Sequence, residues 1–256
     1  MSLAPRSLAA RSRGALLAVA LATPAMVAVA VAPAHAEPTQ VTCTGEAVNL
    51  EVSNTDVVLA GACGDVHLSG ANLTVTLASA TNLHLDVANS DVTAAGSVGA
   101  LSIVGPNNTV TVGEATSATA QAGNSTVSIG SGVSLLEVDQ PNTTVSVNGD
   151  ATLVDVTSGN NTVTVRGRVS KAVVASANNT VTALGVTTLK ATGGNHTIRA
   201  GKSTRATLRV ANTTATFTTL KTLKIVGGNN TVRVRKGATK VSVRGPNNTV
   251  KVKRRR

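Results

Sequence analysis

The sequence predicts an all-β protein, a single-stranded parallel β-helix or solenoid of about 12 turns with at least two short strands in each turn. The main observation is a phrase of the form Asn-Asn-Thr-Val that recurs through the chain. Its complete and partial copies begin at Asn54, Asn72, Asn89, Asn107, Asn124, Asn142, Asn160, Asn178, Asn195, Asn212, Asn229 and Asn247. The copies lie 17 or 18 residues apart, and so regular a period is typical of a solenoid in which each repeat forms one turn.

The composition supports the same fold class. Phe217 is the single aromatic residue among 256, with no Trp or Tyr, which excludes a globular core built on large rings. The chain is rich in Val and Thr, which favour strands, and in Gly and Asn, which favour turns. Small side chains suit the narrow interior of a solenoid, where each turn contacts only its two neighbours.

The first 36 residues have the pattern of a secretory signal peptide. Three arginines precede an apolar run over residues 15–32, and Ala34-His35-Ala36 supplies a cleavage site of small residues. A membrane anchor is the alternative for a run of this length, but the cleavage pattern favours removal and leaves a solenoid over residues 37–256. We therefore expect a secreted protein, extracellular or associated with the cell envelope, without a transmembrane segment once the signal is removed.

The only two cysteines lie within the first turns. Cys43 and Cys63 are 20 residues apart, close to the length of one turn, so their backbones could be neighbours in adjacent turns. In a secreted protein an isolated pair predicts a disulfide, which here would staple the N-terminal turns over residues 37–70. A redox pair is the alternative, but the close Cys-x-x-Cys spacing is lacking.

Alternation within each repeat predicts which side chains form the core. In residues 160–165, Val163 and Val165 share one face and two threonines share the other. The valines should face inward, because the equivalent positions of other repeats are nearly always apolar. A second alternating stretch follows, as in Leu223-Lys224-Ile225, and Gly-containing corners such as Gly105-Pro106-Asn107 separate the stretches. Successive turns should pair in parallel, while a third strand and the hand of the coil stay open.

The leading Asn of each repeat suits a corner of the coil. Asn tolerates left-handed backbone angles, and its side chain hydrogen-bonds nearby backbone. Stacked amides in successive turns can also bond one another along the axis of the coil. A ligand-binding array of asparagines is the alternative interpretation.

Charge is segregated along the chain. All twelve acidic residues lie at or before Asp155, and the twenty Lys and Arg beyond the signal peptide all lie at or after Arg166. Removing the three leader arginines from the net charge of +11 leaves +8, which conceals one half of −12 and another of +20. We divide the solenoid accordingly into acidic or neutral turns over residues 71–165, basic turns over residues 166–250 and a basic tail over residues 251–256.

The basic half is the predicted binding surface, because a field of one sign attracts partners of the other. Anionic envelope polymers or the acidic surface of another protein are the expected partners, since secretion and the lack of stacking aromatics argue against nucleic acid. Compositional drift, with protection of the last strand edge, is the alternative explanation. The predicted anion-binding residues are Arg199, Arg233, Arg235, Lys236, Arg244, Lys251, Lys253, Arg254, Arg255 and Arg256.

Two other functions fit the pattern. Contact between the acidic head of one molecule and the basic tail of the next would build filaments, because such a heterologous contact does not close. Outward Thr-x-Thr columns would form a flat face that resembles the ice-binding faces of solenoid antifreeze proteins, although Thr is also an ordinary outward strand residue. The residues of this candidate Thr face are Thr74, Thr76, Thr109, Thr111, Thr162, Thr164, Thr180 and Thr182.

The sequence indicates no enzyme. His67 and His84 each precede a leading Asn by five residues and should stack in adjacent turns, but the spacing fixes no third ligand for a metal. The sequence offers no nucleophile with a base, no phosphate-binding loop and no distinct carboxylate pair. We therefore expect a non-catalytic binding or structural protein without a cofactor.

The repeat Gly-x-Asn-Asn-Thr-Val-x-Val, together with the early cysteine pair and the signal peptide, resembles a family of secreted bacterial domains of unknown function. The resemblance covers roughly Val41 to Val252. It implies a β-solenoid, and it brings no activity and no catalytic residues to carry over.

Overall fold

The computed structural model describes residues 38–253, and they form the predicted parallel β-solenoid. All strand pairs are parallel and join into one 17-stranded sheet that coils on itself. The strands are β1 (Thr39–Thr44), β2 (Val48–Ser53), β3 (Asp56–Ala71), β4 (Thr74–Ala88), β5 (Asp91–Ile103), β6 (Thr109–Ala120), β7 (Thr126–Ile129), β8 (Val133–Val138), β9 (Thr144–Val147), β10 (Ala151–Val156), β11 (Thr162–Val174), β12 (Thr180–Gly194), β13 (Thr197–Ala211), β14 (Thr214–Val226), β15 (Thr231–Val234), β16 (Lys240–Arg244) and β17 (Thr249–Val252). Within residues 38–253 there is no helix that could span a membrane. The predicted signal peptide over residues 1–36 lies outside the described residues.

A long turn contains three stretches of pairing, one more than the two that the sequence established. In β12 they are residues 180–183, residues 185–186 and residues 188–194, and all three pair with β13. We call the surfaces over these stretches the first, second and third faces of the solenoid. Some turns keep one continuous strand around the bends, as β12 does, whereas others divide into two, as β7 and β8 do.

The core consists of inward columns that repeat once per turn. The valines predicted to face inward, Val110, Val127, Val145, Val163 and Val181, are between 0% and 3% exposed. On the third face the inward positions hold Leu, Ile, Val and Ala, and Phe217 is also fully buried on the first face. Burial of one Val or Leu side chain stabilises the fold by about 1.5–3 kcal/mol, so the repeated columns supply the main driving force for coiling.

The alternation between 17 and 18 residues has its cause at the corner between the first and second faces. Between β11 and β12 the register shifts by one residue, because Arg166 and Gly167 fill this corner in one turn and Leu184 alone fills it in the next. The same shift occurs between β3 and β4, between β4 and β5, and between β5 and β6. The corner therefore absorbs the extra residue, and the columns on both sides of it remain aligned.

The leading asparagines occupy left-handed corners, as predicted. All twelve have φ between 52° and 61°, a range in which Asn is one of the few favourable side chains. The predicted amide ladder forms at two places, where Nδ2 of Asn72 donates to Oδ1 of Asn54 at 2.9 Å and Nδ2 of Asn107 donates to Oδ1 of Asn89 at 3.0 Å.

A second ladder, which the sequence did not predict, follows directly after these corners. Its side chains are polar and buried, and they belong to Ser90, Asn108, Ser125, Thr143, Asn161, Asn179, His196, Thr213 and Asn230. Oδ1 of Asn179 accepts the backbone N–H of Asn161 in the preceding turn at 2.9 Å. Nδ2 of Asn179 donates to the carbonyl oxygens of Ser158 and Ala175 at 2.9 and 2.8 Å. The ladder thus satisfies backbone groups that the corners would otherwise leave buried and unpaired.

The predicted disulfide is present. Cys43 in β1 and Cys63 in β3 are bonded, with their Cα atoms 4.8 Å apart, and both are 4% exposed. The bond joins the first two turns at a corner and closes a loop whose cross-link contributes about 3 kcal/mol in the chain-entropy model.

Candidate anion-binding surface

The cations of the basic half all face solvent. Of the twenty Lys and Arg after Asp155, Arg254, Arg255 and Arg256 lie outside the described residues, and the other seventeen are exposed. Because inward positions of the columns are apolar, charge can occupy only outward positions and corners. The coil therefore distributes the seventeen cations over its three faces.

On the first face, one column brings together three of the predicted anion-binding residues. Arg199 pairs with Thr216, Thr216 pairs with Arg233, and Arg233 pairs with Lys251. This confirms that Arg199, Arg233 and Lys251 occupy equivalent outward positions. Arg235 lies at the corner that follows the first face.

A shallow groove follows the second face of the basic half. It has a volume of about 330 Å³, and its lining includes Arg168, Lys202, Lys221 and Lys236. Arg168 pairs with Gly185, and Gly185 pairs with Lys202, so these two cations lie two turns apart. Lys236 is the one predicted anion-binding residue in this lining.

The third face carries the largest group of cations, and Arg244 is the only one of them that the sequence reasoning had singled out. The group consists of Lys171, Lys190, Arg205, Arg209, Lys224, Lys240 and Arg244. All seven project outward between buried residues of β11, β12, β13, β14 and β16. Aligning the Lys and Arg positions on the 17- and 18-residue period would have revealed this group, but only with the corner lengths known.

Directly stacked cations are rare in the described part of the basic half. Among the paired residues of 166–253, the one cationic pair in adjacent turns is Arg233 and Lys251. The sequence had suggested that stacked like charges repel throughout this half. The register corrects that expectation, because uncharged residues separate most cations of a column, which leaves them roughly 10 Å apart.

The Thr columns point outward, as predicted. The first column is unbroken over nine turns and consists of Thr109, Thr126, Thr144, Thr162, Thr180, Thr197, Thr214, Thr231 and Thr249. The second column is less regular, since it contains Ser128, Ser146 and Arg199, and Thr164 and Thr182 in it are half-buried. Ice binding by this face stays a prediction.

The histidines do not form a catalytic or metal-binding cluster in the described part of the chain. His67 and His84 pair in adjacent turns with ring centroids 4.7 Å apart, as the spacing predicted. Residues 38–253 contain no group of three or more His, Cys, Asp or Glu side chains placed to hold a metal ion. His196 is 1% exposed in the polar ladder, where its Nε2 lies 2.9 Å from the carbonyl oxygen of Thr192 and its Nδ1 has no hydrogen-bond partner.

One carboxyl group at the acidic end has a shifted pKa. A hydrogen bond from its own backbone N–H, then bonds from the hydroxyl and the N–H of Thr44, hold the pKa of Glu46 below its ordinary value of 4.5. Both groups of Thr44 donate to Oε2 of Glu46 at 2.8 Å. Glu46 is therefore ionised at neutral pH and adds to the negative charge of the first turn.

These features define a parallel β-solenoid whose acidic turns come first and whose basic turns follow. Comparison of the chain with protein-family models, with curated proteins and with solved structures finds no match. The resemblance to a family of secreted bacterial domains therefore stays a prediction, and the function has to be argued from the surface.

Proposed function

We propose that the chain is a secreted, non-catalytic binding module of the cell envelope or extracellular matrix, which contacts anionic surfaces through its basic half. The observation that carries the proposal is the set of seventeen exposed Lys and Arg over residues 166–253, a stretch whose sequence contains no Asp or Glu. Such a surface attracts polyanions from a distance of about one Debye length, roughly 8 Å at physiological salt.

The solenoid suits this role because its backbone is already ordered. Each cation projects from a strand that pairs on both sides, except at the two ends of the coil, so binding orders only the side chains. Lys and Arg form charge-assisted hydrogen bonds with phosphate and carboxylate groups. Each contact also releases counterions from a polyanion, so binding should weaken steeply as the salt concentration rises.

Retention of the purified protein on isolated cell envelopes, measured against salt concentration, tests the proposal. The basic variant replaces eight cations by Thr, namely Lys190, Arg199, Arg205, Arg209, Lys224, Arg233, Arg235 and Lys236. A control variant replaces four acidic residues by their amides, namely Glu114, Glu137, Asp139 and Asp155. We expect salt-dependent retention of the wild type and of the control, and loss of retention in the basic variant. Retention that is insensitive to salt, or equal in the two variants, would overturn the proposal.

A second candidate is self-assembly of the rods, which the two ends of the coil favour. At the last turn Val241 and Val243 are 39% and 41% exposed, between the cations Lys240 and Arg244. At the first turn Leu50 is only half-buried beside exposed Glu51. Among the described residues β2 and β16 each lack a partner on one side, so two copies could pair end to end. Sedimentation at low and high salt tests this, and a monomer at every salt and protein concentration would exclude it.

A further inference from the structure

The third face of the basic half arranges its cations as a checkerboard. The first outward column runs through Lys171, Thr188, Arg205, Thr222 and Lys240 in successive turns. The second column, two residues further along the strands, runs through Val173, Lys190, Thr207, Lys224 and Ser242. The third column runs through Thr192, Arg209, Val226 and Arg244. Cations and uncharged residues alternate in every column, and the alternation shifts by one turn between neighbouring columns.

The backbone fixes the spacing of this checkerboard. Adjacent turns are about 4.8 Å apart and alternate residues of a strand about 6.6 Å apart, so nearest cations have Cα atoms about 8 Å apart. The residues between them, such as Leu189, Ala206 and Leu223, are 0% exposed in the core. Their packing holds the strands in register, and only the side chains of the cations remain free to adjust.

Relief of repulsion alone does not explain the arrangement. On the first face Arg233 pairs directly with Lys251. Further along the third face, in the acidic half, Glu137 pairs directly with Asp155. The fold therefore accepts stacked like charges elsewhere, including on this same face. The strict alternation is confined to the five turns that contain the checkerboard, which points to a ligand rather than to a general rule of the coil.

We propose that the checkerboard is the binding site of the basic half and that its ligand is a linear phosphodiester polymer. This inference rests on the proposed function and specifies its site and ligand class. A chain that runs along the axis meets one cation in each turn, through Lys171, Lys190, Arg205, Lys224 and Lys240. The step between successive cations is about 8 Å, and flexible single bonds let a phosphodiester chain follow the zigzag.

The side chains of this face match phosphate chemistry. Lys acts as a mobile point charge and Arg as a planar fork with several donors, and both bind phosphate oxygens through charge-assisted hydrogen bonds. The hydroxyl groups of Thr188, Thr207 and Thr222 lie between the cations on outward positions. They can donate to phosphate oxygens or accept from hydroxyl groups of the polymer.

Other polyanions fit the face less well. Phe217 is the one aromatic residue of the chain and is 0% exposed, so the face has no ring on which bases or sugar rings could stack. The outward apolar residues, Val173 and Val226, are half-buried and too short to enter a lipid layer. Nucleic acid, acidic polysaccharide and anionic membranes are therefore the competing ligands to be tested.

Binding of fluorescently labelled poly(glycerol phosphate) tests the site. The face variant carries Lys190→Thr, Arg205→Thr, Arg209→Thr and Lys224→Thr. The matched control carries Arg199→Thr, Arg233→Thr, Arg235→Thr and Lys236→Thr, which removes the same charge from outside the checkerboard. We expect binding about tenfold or more weaker in the face variant, with a salt slope smaller by about three, and a change below about threefold in the control. Equal weakening in the two variants would overturn the site.

A rearranged variant tests the checkerboard itself at constant net charge. Thr188→Lys with Lys190→Thr, and Thr222→Lys with Lys224→Thr, place all five cations of the zigzag in one column. Circular dichroism confirms that each variant folds, and the Thr variants above carry the test if the rearranged one does not. We expect weaker polymer binding by the rearranged variant, and unchanged binding would overturn the role of the spacing.

Competition decides the ligand class and separates this inference from the proposed function. Polygalacturonate, single-stranded DNA and vesicles containing phosphatidylglycerol should each bind more weakly than poly(glycerol phosphate), and tighter binding of any one would overturn the phosphodiester assignment. Envelope retention that depends on salt but is the same in the face variant would overturn only the checkerboard site. Polymer binding without any envelope retention would instead overturn the proposed function alone.

Discussion

A step of one residue decides whether a side chain of the first face enters the core. Val163 is 0% exposed, whereas its neighbour Thr162 faces solvent. Val163→Asp would bury an unpaired charge between two turns, so we expect a loss of about 3 kcal/mol or more in the free energy of unfolding, against less than about 1 kcal/mol for Thr162→Asp. Urea unfolding of the two variants measures the difference, and equal losses would contradict the inward assignment.

The polar ladder contains one residue that its neighbours do not satisfy. His196 occupies the position held by Asn179 and Asn230 in other turns, and its buried Nδ1 has no partner. In His196→Asn the side-chain oxygen could accept the N–H of Asn179, as Oδ1 of Asn179 accepts that of Asn161 at 2.9 Å. We expect a gain of about 1 kcal/mol, the usual net value of one hydrogen bond.

Thermal unfolding of His196→Asn checks this gain. The matched control is His196→Leu, which keeps a side chain of similar size but supplies no acceptor. A melting temperature that falls equally in both variants would show that the imidazole packs better than the amide bonds.

The positive φ of the leading Asn was predictable from the sequence, whereas the polar ladder was not. Asn is among the few residues that tolerate this backbone angle, so its repetition alone indicates a corner. Alternation also places Asn108 on the same side as Val110, but burial of an amide requires hydrogen bonds. Those of Asn108 run to Val87 and Gly105, and the contact with Val87 in another turn becomes visible only when the turns are stacked.

At the scale of a turn, the corner between the first and second faces determines which lengths the coil accepts. Deleting Arg166 would leave Gly167 as the only corner residue, as Gly113 and Gly201 are in natural 17-residue turns. We expect a small loss of stability, below about 1 kcal/mol. Deleting Thr164 instead would shift the following side chains to the opposite face, because side chains alternate with a period of two, and should prevent folding.

Circular dichroism and thermal melting of the two deletions test this account of the corner. They remove one residue each, two positions apart, so chain length is matched. If both deletions unfolded the protein, the corner would not be the place where length varies.

The sequence established two of the three faces, and the second face shows why it missed one. A stretch as short as residues 185–186 has no room for alternation, and only its pairing with residues of the next turn defines it. The checkerboard was hidden for a related reason. The register shift between β11 and β12 lies just before Lys171, so a fixed period misaligns the cations of the third face, although their number and charge are plain in the sequence.

At the scale of the whole molecule, segregation of charge places like charges close together and opposite charges far apart. Nearest cations of the checkerboard lie about 8 Å apart, a distance at which exposed charges still interact at physiological salt. Acidic and basic side chains, in contrast, occupy different turns of the coil. Net repulsion within each half should therefore reduce stability, and the solenoid has to offset it by packing of its core.

This balance predicts that salt stabilises the protein. Raising sodium chloride from about 0.01 M to about 0.15 M shortens the Debye length from about 30 Å to about 8 Å, so repulsion within each half weakens more than the distant attraction between the halves. We expect the melting temperature to rise by a few degrees, about as much as 1 kcal/mol would raise it in a domain of this size. The eight-cation basic variant serves as the control and should show a smaller rise, because it has less repulsion to screen. A melting temperature that falls with salt would mean that attraction between acidic and basic turns outweighs repulsion within them, and it would favour contact between the halves of different molecules over a free basic surface.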